Sequence, residues 1–203
     1  MSEDTWGEIR EAHDKAKWAS LLELCALHRK RAPDHLEARI PQAIALRHLN
    51  RFEDAAALLQ GTHDHETASQ KCKYHCQCEL GLTFEQMGKL DHARNAYQAA
   101  HYLIPTKTVP IIYRGAMELR LGDFAAARDW LCRALDCPDG DFDEAHFNIG
   151  STYLSEQNYL KAIEHYQKAI AINPDYDLAW EFLADAKRGL EIHQQSECIS
   201  RCV

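Results

Sequence analysis

The apolar residues of this chain follow a pattern that returns about every 34 positions, with short polar stretches between the copies. The clearest copy runs from Asp143 to Tyr176, and an earlier copy runs from Tyr74 to Lys107. Each copy contains two apolar stretches, a turn between them and a proline near its end, at Pro105 or Pro174. Since proline cannot continue a helix, each copy predicts two helices joined by a turn.

Small residues stand at fixed places in this pattern. The first predicted helix carries a glycine where another helix crosses closely, and the second carries an alanine with an aromatic residue or leucine four positions later. These residues are Gly81, Ala93 and Tyr97, then Gly115, Ala127 and Leu131, then Gly150, Ala162 and Tyr166. The turns fall at Gly88, Gly122 and Gln157. The spacing therefore predicts helix pairs that pack most tightly at the small residues.

The pattern resembles the tetratricopeptide repeat (TPR), a helix-turn-helix unit of about 34 residues. The resemblance covers nearly the whole chain and is closest in residues 74–107, 108–142 and 143–176, of which the second has one extra residue. Two more divergent units cover residues 1–34 and 35–69. The resemblance implies an all-α fold, a right-handed α-solenoid of about five TPR repeats, as one domain over residues 1–197.

A lone helix follows the last repeat. Trp180 stands where the family favours tryptophan, and Ala184 replaces the family's glycine. No second helix follows it, and the sequence becomes polar from Glu191 onward. Residues 177–197 therefore predict a C-terminal capping helix, because the end of a solenoid needs a polar outer face. Residues 198–203 are predicted to form a frayed tail.

The second unit departs from the pattern at two places. Gly61 falls where the second helix should still run, and we interpret it as the C′ residue that ends that helix. Asp64 then reads as the N-cap of a following helix that begins early, near His65. Pro41 lies in the first helix of the unit. It kinks that helix if the helix begins near Leu36 and is tolerated in the first turn if it begins near Ala38.

The charge of the chain limits its partners. The sequence has 31 acidic and 23 basic residues, a formal net charge of −8. An acidic chain repels phosphate backbones, so we expect no nucleic-acid partner. No window approaches 18 uninterrupted apolar residues, and the first six residues lack the basic and apolar segments of a secretory signal. We therefore expect no membrane association and a cytoplasmic protein whose eight cysteines are reduced.

Motifs that carry catalysis are not found in the sequence. It has no glycine-rich phosphate loop, no His-Glu-x-x-His and no Gly-x-Ser-x-Gly. We therefore expect no enzyme activity and no cofactor.

Cysteine and histidine cluster at the junction of the second and third units, where a metal site has to be considered. The cluster consists of His63, His65, Cys72, His75, Cys76 and Cys78. Cys72 and Cys76 share one helix face, but Cys78 points elsewhere, and no Cys-x-x-Cys pair is present. We expect thiols that pack as small apolar residues and no metal site. A metal- or redox-responsive protein stays open as an alternative, also for the pair Cys198 and Cys202.

The TPR resemblance implies that the first helix of each repeat lines a concave groove. The apolar residues at the groove-facing positions are Ile40, Ile44, Cys78, Leu82, Ile112, Ala116, Leu119, Phe147 and Leu154. An apolar surface of this extent is typical of an interaction site, and it suits an amphipathic helix or an apolar peptide. Two alternatives stay open. In one, the tight curvature of the solenoid buries these residues within the protein. In the other, a second copy of the chain covers them.

The best-known TPR binding mode captures the C-terminal carboxylate of heat-shock chaperones with lysine, asparagine and arginine side chains. The matching positions in the second to fourth repeats are Ile40, Ile44, Glu79, Val109 and Tyr113, which do not supply this clamp. The sequence therefore predicts a protein–protein interaction module, an adaptor or a dedicated chaperone, that binds an apolar or helical segment and not an acidic tail. A self-assembling scaffold is a further alternative.

Overall fold

The computed structural model describes residues 5–138, 140 and 142–201, without the side chains of residues 197 and 199–201. The described residues form eleven α-helices and one 3₁₀ helix, Leu36–Ala38. The α-helices are α1 (Thr5–Asp14), α2 (Trp18–Arg31), α3 (Arg39–His48), α4 (Phe52–His63), α5 (Gln70–Gln86), α6 (Leu90–Leu103), α7 (Thr108–Leu121), α8 (Phe124–Leu135), α9 (Phe142–Ser155), α10 (Tyr159–Ile172) and α11 (Asp177–Arg201). The predicted all-α fold of five helix pairs and a closing helix is confirmed.

The chain divides into two compact units, residues 1–105 (the N-unit) and residues 106–203 (the C-unit). Within the N-unit each helix from α1 to α6 packs against the next, and α3 also contacts α1 and α5. Within the C-unit each helix from α7 to α11 packs against the next, and α9 also contacts α7 and α11. In both units the first helices of successive repeats are therefore neighbours.

Each helix pair is joined by a turn with one residue in the left-handed backbone region. These residues are Ala16 (φ 50°), Asn50 (φ 59°), Gly88 (φ 72°), Gly122 (φ 86°) and Gln157 (φ 59°). The three predicted turn residues are among them. Glycine enters this region without a steric penalty, whereas the Cβ atoms of alanine and glutamine are strained there.

The small residues occupy the tight helix crossings that the sequence predicts. Ala93, Ala127 and Ala162 are completely buried. A Cβ atom added at Gly115 would lie 2.7 Å from the Leu131 side chain, which is closer than packed atoms approach. The glycine on each first helix therefore lets the second helix carry a large residue at the crossing.

The second repeat corrects two predictions. Gly61 does not end a helix, because it lies inside α4, which continues to His63. The next helix does not begin near His65 but at Gln70, where the hydroxyl of Ser69 accepts a hydrogen bond from the Cys72 amide (3.0 Å) and caps it. The Ser69 cap still places the start of α5 four residues before the repeat that begins at Tyr74.

Pro41 is the third residue of α3, after the 3₁₀ turn. It therefore lies in the first turn, where a missing amide hydrogen costs little, and the kinked alternative does not occur.

The closing helix α11 buries one stripe, which includes Ala179, Leu183 and Ala186, against the end of the C-unit. It runs to Arg201, four residues beyond the predicted end of the capping helix, through a stretch rich in glutamate and glutamine, which are good helix formers. Cys198 is therefore helical, and Cys202 lies outside the described residues. Among the described helices, none combines the length and the apolar character needed to cross a bilayer.

Candidate peptide-binding faces

The groove residues predicted in the N-unit lie on α3 and α5, two first helices that pack against each other. Ile40, Ile44, Cys78 and Leu82 are all half-buried, so part of each side chain is open to solvent. We call these four residues the N-face.

In the C-unit the corresponding residues lie on α7 and α9, which also pack against each other. Ala116, Leu119, Phe147 and Leu154 are half-buried. We call these four residues the C-face. Phe147 and Leu154 both pack against the core between α10 and α11, so this face is continuous with the interior of the C-unit.

Ile112 corrects the predicted set of groove residues. Only 1% of its surface is exposed, and it belongs to a core cluster with Leu131, Ala145 and Ile149. The physical reason is that α7 contacts both α8 and α9, so Ile111 and Ile112 are both directed into the core. Ile112 is therefore a residue of the core and is not available to a ligand.

An ion pair joins the two helices of the N-face. Arg47 of α3 lies 3.2 Å from a carboxylate oxygen of Glu79 in α5, and their side chains are only 9% and 19% exposed. Burial raises the pKa of the Glu79 carboxyl, and the neighbouring Arg47 opposes this by lowering it. Because the pair spans the two helices, it joins α3 to α5.

A second buried pair lies within α7 of the C-unit. Arg114 bonds to Glu118 one turn later, and both side chains are at most 10% exposed. The Arg114 guanidinium also lies 5.3 Å from the centre of the Trp130 ring in α8. This contact is a cation–π interaction, and it joins α7 to α8.

Aromatic rings surround Phe147 on the C-face. Its ring centre lies 5.1 Å from that of Tyr176, 5.2 Å from Phe182 and 5.7 Å from Tyr166. Next to Tyr176 is a small acidic cleft, where Asp143 accepts a hydrogen bond from the Asn173 amide (2.9 Å). Burial, followed by the charges of Glu144 and Asp143, raises the pKa of Tyr176 to about 12.

A pocket of about 230 Å³ opens between α1 and α3 of the N-unit. Trp6, Ile9, Pro41 and Ile44 form its walls. Arg10, His13 and Asp14 also line it. We call this the α1/α3 pocket. Of its wall residues, only Ile44 was predicted as a groove residue.

Of the cysteines near the junction, Cys72 and Cys76 are buried and Cys78 is half-buried. Burial raises the pKa of Cys76 and Cys78 to about 12 and also raises the pKa of Cys72. Cys72 and Cys76 stand one turn apart on α5 and share one helix face, as predicted. Within the described part of the chain, no three His, Cys, Asp or Glu side chains come together as a metal site would require.

The α1/α3 pocket was missed because the first repeat diverges most from the repeat pattern. Only Trp18, Leu21, Cys25 and Pro33 keep the register there, so α1 offers no groove positions to read. The sequence still contains one indication of the pocket, the apolar residues Trp6 and Ile9, which are spaced three apart.

Family models of the tetratricopeptide repeat match residues 74–107 and residues 143–176. A search of curated proteins finds no match to the sequence.

Solved structures share the fold at low sequence identity. The structure is similar to a TPR protein of Parabacteroides merdae (TM-score 0.73, 14% identity, 97% of this chain and 77% of that one). A TPR protein of Thermus thermophilus aligns over 90% of this chain and 97% of its own, with a TM-score of 0.65 and 18% identity. The first TPR domain of Spaghetti (RPAP3), solved with an HSP90 peptide, aligns over 59% of this chain and 94% of its own (TM-score 0.54, 22% identity).

Proposed function

Because this chain is a tetratricopeptide repeat protein, we propose that it is a non-enzymatic interaction module that binds an apolar, helical segment of a partner polypeptide. The proposal places the bound segment on the first helices of the repeats. Its role is that of an adaptor or a dedicated chaperone.

The observation that carries the proposal is the half-buried apolar character of the N-face and the C-face. Surface residues on neighbouring helices are usually polar, and an apolar group that stays partly open gains free energy when a partner covers it. Burial of apolar surface contributes roughly 25 cal/mol per Å², so a few such side chains supply much of the affinity for a helical peptide. The N-face alone offers Ile40, Ile44 and Leu82 as anchors.

The ligand of this proposal is not an acidic chaperone tail. A TPR domain of RPAP3 is bound to an HSP90 peptide in its structure, whereas here Ile40 and Ile44 occupy clamp positions that would have to bear polar or basic side chains. An isoleucine side chain has no donor for a carboxylate, and it favours an apolar ligand group.

The environment of the cysteines disfavours the alternative of a redox- or metal-responsive protein. A thiol acts as a nucleophile or a metal ligand as its thiolate, and burial raises the pKa of Cys25, Cys76 and Cys78 to about 12. We also propose a cytoplasmic location, where thiols stay reduced.

Affinity purification of the tagged chain from its native extract, with quantitative mass spectrometry, tests the proposal. Leu82→Asp on the N-face and Leu119→Asp on the C-face place a charge among apolar residues without touching the fully buried core. The matched control is Leu160→Asp, because Leu160 is 67% exposed on a second helix. We expect each direct partner to be lost with at least one of the two face variants and retained with the control. A partner that survives both face variants would refute the proposal.

A further inference from the structure

The α1/α3 pocket has apolar walls that the fold holds in place without a ligand. Ile9 is 1% exposed, and the Trp6 ring rests against the rings of His35 (4.6 Å between centres) and His28 (5.6 Å). Pro41 adds a rigid ring in the first turn of α3. A preformed apolar pocket loses little conformational freedom when it is filled, so occupation costs less than it would in a flexible loop.

The lining of the pocket includes one arginine, Arg10, that is unpaired among the described residues. The Asp14 carboxylate already has a neighbour, because its Oδ1 lies 3.5 Å from Nδ1 of His13. Arg10 is exposed, and it has no hydrogen-bond or ion-pair partner among the residues that the structure describes. A guanidinium beside an apolar cavity is complementary to a carboxylate beside an apolar side chain.

We propose that the α1/α3 pocket is the anchor site of this protein and binds a large apolar side chain of the partner that has an aspartate or glutamate one helical turn away. The apolar side chain enters between Trp6, Ile9, Pro41 and Ile44, and the carboxylate pairs with Arg10. This inference rests on the proposed function, to which it adds the sequence feature that the partner has to present. It also gives the divergent first repeat a role, because α1 supplies both the pocket wall and the cation.

The test uses the full chain and two fluorescent amphipathic helical peptides that share one central phenylalanine. They differ at one position four residues later, which is glutamate in one peptide and lysine in the other, and which lies on the same helix face as the phenylalanine. Binding is measured by fluorescence anisotropy. An exposed ion pair is worth roughly 0.2–1 kcal/mol, so we expect the glutamate peptide to bind about 1.4- to fivefold more tightly.

Two variants separate the charge from the cavity. Arg10→Glu should reverse the preference between the peptides, whereas Lys30→Glu on the exposed side of α2 should leave it unchanged. Ile44→Trp fills the cavity and should weaken both peptides by about tenfold or more, because burial of a large apolar side chain is worth roughly 1.5–3 kcal/mol. Circular dichroism confirms that each variant keeps its helical content.

The outcomes distinguish this inference from the proposed function. If the peptides bind equally, or if neither binds, or if Ile44→Trp changes nothing, the assignment of the pocket is wrong. A partner whose recovery still depends on Leu82 and Leu119 would in that case keep the proposed function intact. If Ile44→Trp instead converts a dimer of the free chain to a monomer in sedimentation velocity, the occupant is a second copy and the assignment is overturned.

Discussion

Gly150 of α9 lies against the ring of Tyr166 in α10, and a Cβ atom at position 150 would stand 2.8 Å from that ring. The Tyr166 hydroxyl in turn donates a hydrogen bond to Ser151 (3.2 Å), the residue that follows the glycine. Gly81 meets Tyr97 in the same way in the N-unit. The contact therefore places the ring directly against the first helix and limits how closely the two helices of a repeat approach.

Gly150→Ala should destabilise the protein by about 1–3 kcal/mol, because the added methyl group forces the Tyr166 ring or the helix to move. Urea denaturation followed by circular dichroism measures the change in the free energy of unfolding. Gly61→Ala is the matched control, since nothing lies within 4 Å of a Cβ atom there and α4 continues through this position. It should stabilise the protein by about 0.5–1 kcal/mol. Equal effects of the two substitutions would show that the ring contact is unimportant.

The Ala16→Gly variant should be more stable than the wild-type protein. Ala16 lies in the turn between α1 and α2, and its φ of 50° falls in the left-handed region. A Cβ atom costs roughly 1–2 kcal/mol in that region. Ala16→Gly relieves this strain, while Ala26→Gly, in the exposed middle of α2, should cost about 0.5–1 kcal/mol. Opposite shifts of the thermal midpoint are expected, and a loss of stability in both variants would contradict the strained turn.

Removal of one partner of the buried pair Arg47–Glu79 should lower the free energy of unfolding strongly, whereas replacement of both partners by apolar residues should change it little. Glu79→Ala leaves the Arg47 guanidinium buried without its carboxylate, which typically costs about 3–5 kcal/mol. A double variant, Arg47→Met with Glu79→Leu, removes both charges and should stay within about 1 kcal/mol of the wild type or exceed it. Denaturant titration of the three proteins gives the comparison. A double variant that is less stable than Glu79→Ala would show that the ion pair itself stabilises α3 against α5.

His165 should make the stability of the C-unit depend on pH. Burial, followed by the nearby His146 and Lys168, lowers the pKa of His165 from 6.5 to about 4, and burial also lowers the pKa of His146. Lys161 lowers the pKa of His165 further and Glu164 opposes it. The folded protein therefore binds fewer protons than the unfolded chain between pH 6.5 and about 4.

Stability is accordingly complete above pH 6.5 and is lost as the pH falls toward 4. His165→Gln should flatten this part of the pH profile of the thermal midpoint, whereas His193→Gln, at an exposed position of α11, should not. An unchanged profile in His165→Gln would show that other groups cause the acid sensitivity.

The residues that set helix packing could be predicted from the sequence, because each has one physical reason to be small or large. Gly150, Ala162 and Tyr166 are an example, and all three lie where the spacing places them. Gly61 was misjudged because an isolated glycine is tolerated inside a helix when the next turn continues to pack, and Thr62 is fully buried there. The local sequence around Gly61 does not show that Thr62 is buried in the folded protein.

The candidate binding residues were less predictable because exposure depends on the neighbours of a helix. Ile112 and Ala116 stand one turn apart on α7, yet only Ala116 remains partly open, since Ile112 packs against α8 and α9. An aspartate at position 112 would therefore unfold the C-unit and report nothing about binding. Prediction of the α1/α3 pocket requires the position of α1 against α3, and the sequence of a divergent repeat does not give that position.

The central claim is that the apolar faces of the first helices contact the partner, and site-specific photo-crosslinking tests it most directly. A photoreactive phenylalanine analogue at position 82 or 119 should crosslink to the partner with high yield, because Leu82 and Leu119 are half-buried face residues. The same analogue at Ala57 or Leu160, exposed on second helices, should give little product. Crosslinking from positions 57 and 160 but not from 82 and 119 would contradict the claim.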